Sequence, residues 1–326
     1  MSEAFRVVGA FCAFGKLPSH ADFLSIGPGS ALFTRFSDWL TSGVEWAHAS
    51  KGATWAEAFR VGTLRAFAFR GDVPGMEHSL VVGTLAPSRD QAGRLFPICV
   101  AASVIPSAEF VTHPHLLPFA CENIWQLAGE SLTDSSSYPD ANLGARLAAL
   151  PEPSVARFSE AAAAYAGWCE ALSLSELRAL IAESEQVDAL RWRLQLISEA
   201  VQPHRKQELP STRLSLRLPL GAAGGAAVCF WLDVVRRLVG WHATMPSVFW
   251  SQDRGSGQLV LHLGLAPVGT VSQLWLPDTQ SNEFWDLSQP LPSTQALSPL
   301  PAAVEQALRD QTSSVATLLA ALDIYD

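Results

Sequence analysis

The sequence predicts an α+β protein: a mainly antiparallel sheet flanked by helices, followed by a second, smaller α+β unit. Three observations carry this. Short runs rich in Val, Leu, Phe and Thr, at 61–69, 78–86 and 96–105, are separated by turn-forming stretches too short to hold crossover helices, which reads as an antiparallel meander. Apolar residues recur at three- and four-residue spacing from Ser30 to His48, the mark of a helix with one buried face. A polar stretch bracketed by Pro203 and Pro210 then breaks the pattern and divides the chain into units 1–200 and 211–326.

The first element is an apolar run, 7–14, read as a strand buried on both faces with Cys12 inside. The stretch from Phe14 to Phe23 follows as a bend joining that strand to the first helix: Gly15 permits an unusual φ and Pro18 fixes its own. Lys16 stands out because the chain holds only three lysines. Two readings of the bend stay open. In one, Asp22 caps or pairs locally and the loop is merely structured; in the other, the loop is an exposed recognition surface. A phosphate loop is excluded, because Lys16 is followed by Leu17-Pro18 where Ser or Thr opening a helix is needed.

On the first helix Leu32, Phe33, Phe36, Trp39, Leu40 and Val44 form the apolar stripe, and Asp38 and Glu45 fall off it. Asp38 is either a solvated charge or the partner of a base on the strands that follow. The turn at 87–94 carries Arg89, Asp90 and Arg94 and leads into Leu95-Phe96-Pro97. An arginine at the edge of a core calls for a carboxylate, and Asp22, Asp38 and Asp90 are the candidates.

Residues 109–128 read as helical, 131–142 as an exposed polar loop, and 155–172 and 175–201 as two helices, the second opened by a Ser173/Glu176 capping box. The second unit reads as a strand at 212–220, a helix at 224–239 and paired strands at 247–252 and 258–264. Gly221-Ala222-Ala223-Gly224-Gly225 lacks the GxGxxG order of a dinucleotide site and reads as close helix–strand packing. A Pro- and Ser-rich linker at 286–302 precedes a terminal helix at 303–324. Trp231, Trp241, Trp250, Trp275 and Trp285 fill a small core or anchor an interface.

Composition narrows the function. A net charge of −9 without clustered Lys and Arg argues against a nucleic-acid partner. Cys12, Cys99, Cys121, Cys169 and Cys229 are odd in number and widely spaced, as buried reduced thiols are. No CxxC or HExxH spacing occurs, and His113-Pro114-His115 has no neighbouring carboxylate, so neither metal nor cofactor is expected. The start of the chain lacks the pattern of a secretory signal, and the apolar run at 218–232 falls short of the ~20 residues needed to span a bilayer. A cytoplasmic protein without direct membrane insertion is expected, and no arrangement for nucleophilic or metal catalysis emerges.

Gly15-Lys16-Leu17-Pro18 with Asp22-Phe23, then Asp38-Trp39-Leu40, then Ser88, Asp90, Gly93-Arg94 and Phe96-Pro97 resemble, in order and spacing, the amino-terminal domain of the TagF (ImpM) family of type VI secretion accessory proteins. The likeness covers about 9–130. Where the family reads Arg-Gly-Asp-Phe this chain reads His20-Ala21-Asp22-Phe23, so Lys16 and Asp22 carry over and that arginine does not. The resemblance implies a cytosolic, non-enzymatic regulator, a repressor acting after translation by binding a forkhead-associated scaffold or another component of the secretion apparatus. Gly15, Lys16, Leu17, Pro18, Asp22, Phe23, Asp38, Trp39, Asp90 and Arg94 are its motif residues. Two other readings are a structural subunit of the apparatus and a small hydrolase or phosphatase using His20, Asp22 and Asp38.

Overall fold

Strand β1 (Phe5–Gly15) lies beside the edge of a mostly antiparallel sheet. In this computed structural model the residues described are 5–27, 29–137, 142–182, 187–204, 214–222, 224–240, 245–251, 257–277, 284–289, 299–310 and 312–323. The short β2 (Leu24–Ile26) pairs with residues 13–15 of β1, so the loop 16–23 joins two strands of a hairpin rather than a strand to a helix. Three residues are too few to show an alternating pattern, which is why β2 is not legible in the sequence. Apart from Phe5, β1 is buried in its second half; Arg6, Val8, Gly9 and Ala10 are exposed, and a bulge against β5 falls between Val8 and Cys12.

Helix α1 (Ala31–Arg60) starts where Ser30 Oγ accepts the Phe33 N–H, and it buries the expected stripe. It runs a further three turns past His48 because Gly52, at φ 53°, permits a kink without ending it, and Trp55 and Phe59 return to the core. The meander follows as β3 (Arg65–Arg70), β4 (Leu80–Ala86) and β5 (Ile98–Pro106), all antiparallel. β4 is buried throughout and β5 nearly so.

Helices α2 (Ala108–Thr112), α3 (Leu117–Ala120), α4 (Glu122–Ser137), α5 (Leu143–Ala149), α6 (Phe158–Ala171), α7 (Leu174–Ala182) and α8 (Val187–Val201) come next. The capping box is present: the Ser173 backbone N–H donates to Glu176 Oε2 (2.9 Å) and the Glu176 N–H to Ser173 Oγ (3.3 Å). Two expectations change. Residues 131–137 continue α4, where Ser131 and Leu132 are buried, and 175–201 forms two helices, with 138–141 and 183–186 outside the described residues.

The carboxy-terminal unit comprises β6 (Ser215–Gly221), α9 (Gly224–Val239), β7 (Ser247–Ser251), β8 (Gly257–His262), α10 (Thr270–Trp275), β9 (Trp285–Asp286), α11 (Ala302–Arg309) and α12 (Val315–Leu322). At Gly221 (φ 50°) a Cβ would lie 1.8 Å from Leu180 O of α7, the close packing that the glycine-rich turn requires. The expected linker starts inside β9, whose Trp285 and Asp286 pair in parallel with β6, and the terminal helix is broken into two where Ser314 caps α12.

The described strands run in the order β2-β1-β5-β4-β3-β7-β8-β6-β9. Antiparallel pairing of β3 with β7, Phe67 opposite Phe249, carries the sheet from one unit into the other. The boundary stretch at 201–210 lies mostly outside the described residues. α1 and α10 cover one face of the sheet; α4, α7, α8, α9 and α12 cover the other. All five cysteines are buried and none is in a disulfide, and none of the described helices is long and apolar enough to cross a membrane.

Candidate functional site

The loop 16–23 and the turn 87–96 meet at one end of the sheet. Their meeting point is the Asp90 carboxylate, 1 % exposed, which one would expect to be protonated or paired. It is paired with two cations. Lys16 Nζ donates to Asp90 Oδ2 at 2.9 Å and Arg94 Nε donates to the same oxygen at 2.6 Å, while the Arg94 backbone N–H fills Oδ1 at 2.8 Å. Burial by itself would push the Asp90 carboxyl up; the Lys16 and Arg94 hydrogen bonds overcome this and hold it well below the usual carboxylate range.

Lys16 is 6 % exposed, so its ammonium depends on Asp90 and on the ring of Phe23, whose centroid lies 4.8 Å from Nζ. Two further bonds tie the loops: the Gln91 backbone N–H donates to His20 O and the Arg94 side chain donates from Nη2 to Ala21 O, both at 2.9 Å. Gly15, at φ 141°, allows β1 to run against β5, since a Cβ there would sit 2.1 Å from Pro97 O. Leu17 is buried beneath, and Pro18 is exposed.

Phe23 is the side chain this framework displays. It is 43 % exposed, stacked on Phe14 (centroids 5.4 Å apart, 7° between planes) and edge-on to Phe96 (4.7 Å, 84°). Beside it, the Arg94 side chain is 61 % exposed although its Nε is held by Asp90. Asp22 is exposed and Oδ1 accepts the Phe23 N–H at 2.8 Å, the local pairing foreseen for it.

Of the three candidate partners for Arg94, the structure selects Asp90. Asp38 stands apart, exposed on α1. Its neighbour Trp39 is interior: Nε1 donates to Ala266 O at 2.9 Å, and the ring packs on Phe36, Phe69 and Phe249. The motif residues therefore separate into a loop cluster (Gly15, Lys16, Leu17, Pro18, Asp22, Phe23, Asp90, Arg94) and a helix pair, Asp38 and Trp39, of which Trp39 binds α1 to the carboxy-terminal unit. No hydrogen bond or ion pair connects Asp38 with His20 or Asp22 among the described residues; His20 Nδ1 is paired with Ser19 Oγ at 2.9 Å.

Sequence reasoning did not assign Phe14 and Phe96 as the support for Phe23. Phe14 lies opposite Cys99 on β5 and Phe96 leads into that strand, a pairing that no local spacing in the sequence shows. Among the described residues no group of three or more His, Cys, Asp or Glu could hold a metal ion.

Residues 12–150 match the family model described as the TagF N-terminal domain, type VI secretion system-associated. No curated protein sequence matches the chain. Among solved structures, PA0076 from Pseudomonas aeruginosa PAO1 is similar, with a TM-score of 0.47 and 18% identity, over 83% of this chain and 96% of that one.

Proposed function

We propose that the chain is a cytoplasmic regulator that restrains a type VI secretion apparatus after translation by docking on one of its components, a forkhead-associated scaffold, without chemistry of its own; the match of residues 12–150 to the TagF N-terminal domain model, described as type VI secretion system-associated, supports this. One observation supports this above the others: Lys16 and Arg94, paired on the buried Asp90 carboxylate, fix two loops so that Phe23 stands half exposed at their tip. An exposed aromatic on a preformed support loses little conformational entropy when a partner covers it, which is how interface anchors behave. Two of the ionisable groups here, Asp90 and Lys16, are committed to structure. Asp90 is saturated by two cations, and Lys16 is too buried to act as a contact residue.

The test follows from that burial. Lys16→Glu would place two carboxylates together in the interior and unfold the loop, so loss of binding by that variant would say nothing about contact. Phe23→Ala removes the displayed ring and leaves the triad. In a pulldown with the purified scaffold, the wild-type chain retains it and Phe23→Ala does not, although the variant still melts cooperatively and only a few degrees below wild type. Equal retention by both proteins would refute the assignment.

A further inference from the structure

The tip carries more than an aromatic ring. Of the five N–H donors of a guanidinium, Arg94 uses Nε–H on Asp90 and one Nη2–H on Ala21 O. The remaining three, on an edge formed by Nη1 and Nη2, belong to a side chain that is 61 % exposed. Both bonds that Arg94 makes hold the guanidinium plane, so the open edge is aimed before any partner arrives. Arg89 is exposed on the same turn. Lys16 and Asp90 offset one another, leaving Arg89, Arg94 and the exposed Asp22 as the tip's outward charges, a small positive excess in a chain of net charge −9.

From this geometry we infer that the face docks on a protein surface in which an apolar pocket for Phe23 lies beside an aspartate or glutamate carboxylate that takes the open edge of Arg94. This rests on the reading that the tip meets a protein. A planar fork with two parallel N–H vectors fits a carboxylate in bidentate fashion, and an arginine already held on its other side pays little entropy to do so. Asp22 decides between anions. Its carboxylate follows directly on Ala21, whose carbonyl holds Arg94, and it would oppose the nearly double charge of a phosphorylated side chain more than the single charge of a carboxylate.

Two measurements test this on the full-length chain. A photo-crosslinking phenylalanine analogue replaces Phe23 in cells with an active type VI system, and the crosslinked peptide is mapped. The expected product joins position 23 to apolar residues of one protein whose surface holds an Asp or Glu alongside. The crosslinked protein, purified, is then titrated with wild type, Arg94→Lys and Phe23→Ala, before and after phosphatase treatment. Arg94→Lys, which keeps the charge and the Asp90 pair but loses the fork, weakens binding about tenfold; Phe23→Ala weakens it about thirtyfold; phosphatase changes nothing. No crosslink at position 23, wild-type affinity in Arg94→Lys, or binding abolished by phosphatase would each overturn the inference. A crosslink of the expected chemistry to a protein other than the forkhead-associated scaffold would leave it standing and remove the scaffold from the proposed function.

Discussion

Asp90 concentrates the argument at the scale of single residues. Its carboxyl is held below the usual range in the folded chain, by Lys16 and Arg94 acting against the opposing effect of burial. A group with a depressed folded pKa stabilises the protein at pH values above its unfolded pKa, about 4 for aspartate, and that contribution is lost as pH falls below it toward the folded value. Asp90→Asn is therefore expected to lower the melting temperature by several degrees at pH 7 and to flatten its decline between about pH 4 and pH 2. Thermal melts across that range check this; acid limbs that run parallel in the two proteins would show that Asp90 is not the group being titrated. Lys16, Asp90 and Arg94 were each legible as unusual charges beside an apolar run. Asp90 stood among three candidate partners for Arg94, but its pairing with Lys16 was not legible, because the two are 74 positions apart and only the β1–β5 register brings them together.

Elements were legible where their pattern was long. The stripe on α1, the meander β3 to β5, the capping box of α7 and the helix α9 all follow the spacing of their residues. β2 and β9 were missed because strands of three and two residues have no period, and the extension of α1 was missed because Gly52 reads as a stop unless a left-handed kink is allowed. Asp38-Trp39, a motif that looks functional in sequence, resolves into an exposed charge and an interior clamp. Trp39→Phe keeps most of the ring but leaves Ala266 O without the indole donor; it should cost about 1–2 kcal/mol, as loss of a buried hydrogen bond does. Chemical denaturation measures this directly, and the same variant should bind a partner at the Phe23 tip as well as wild type. A loss of binding at unchanged stability would place Trp39 in the interface instead.

For the whole molecule, the β3–β7 seam matters most. The region matched by the TagF N-terminal family ends at 150, yet β3 of that region is completed by β7 of the carboxy-terminal unit, and Trp39 of α1 reaches Ala266 across the same junction. The break expected near 201–210 lies mostly outside the described residues, and the sequence could not show that strands on either side of it pair, since pairing between distant strands leaves no local trace. A chain cut after His204 would bare one whole edge of β3 and the aromatic face of Phe67. Such an edge templates association, so the fragment is expected to sediment as aggregates where the full chain stays dispersed; a monodisperse fragment would mean that the second unit is dispensable for folding.

The central claim is that the paired loops 16–23 and 87–96 are the surface that meets a component of the secretion apparatus. Hydrogen–deuterium exchange of the full-length chain, alone and with its crosslinked partner, tests it most directly. The account predicts slowed exchange in those two loops, with the α9 and α12 regions unchanged. Protection confined to α9 and α12, with both loops exchanging as in the free chain, would contradict it.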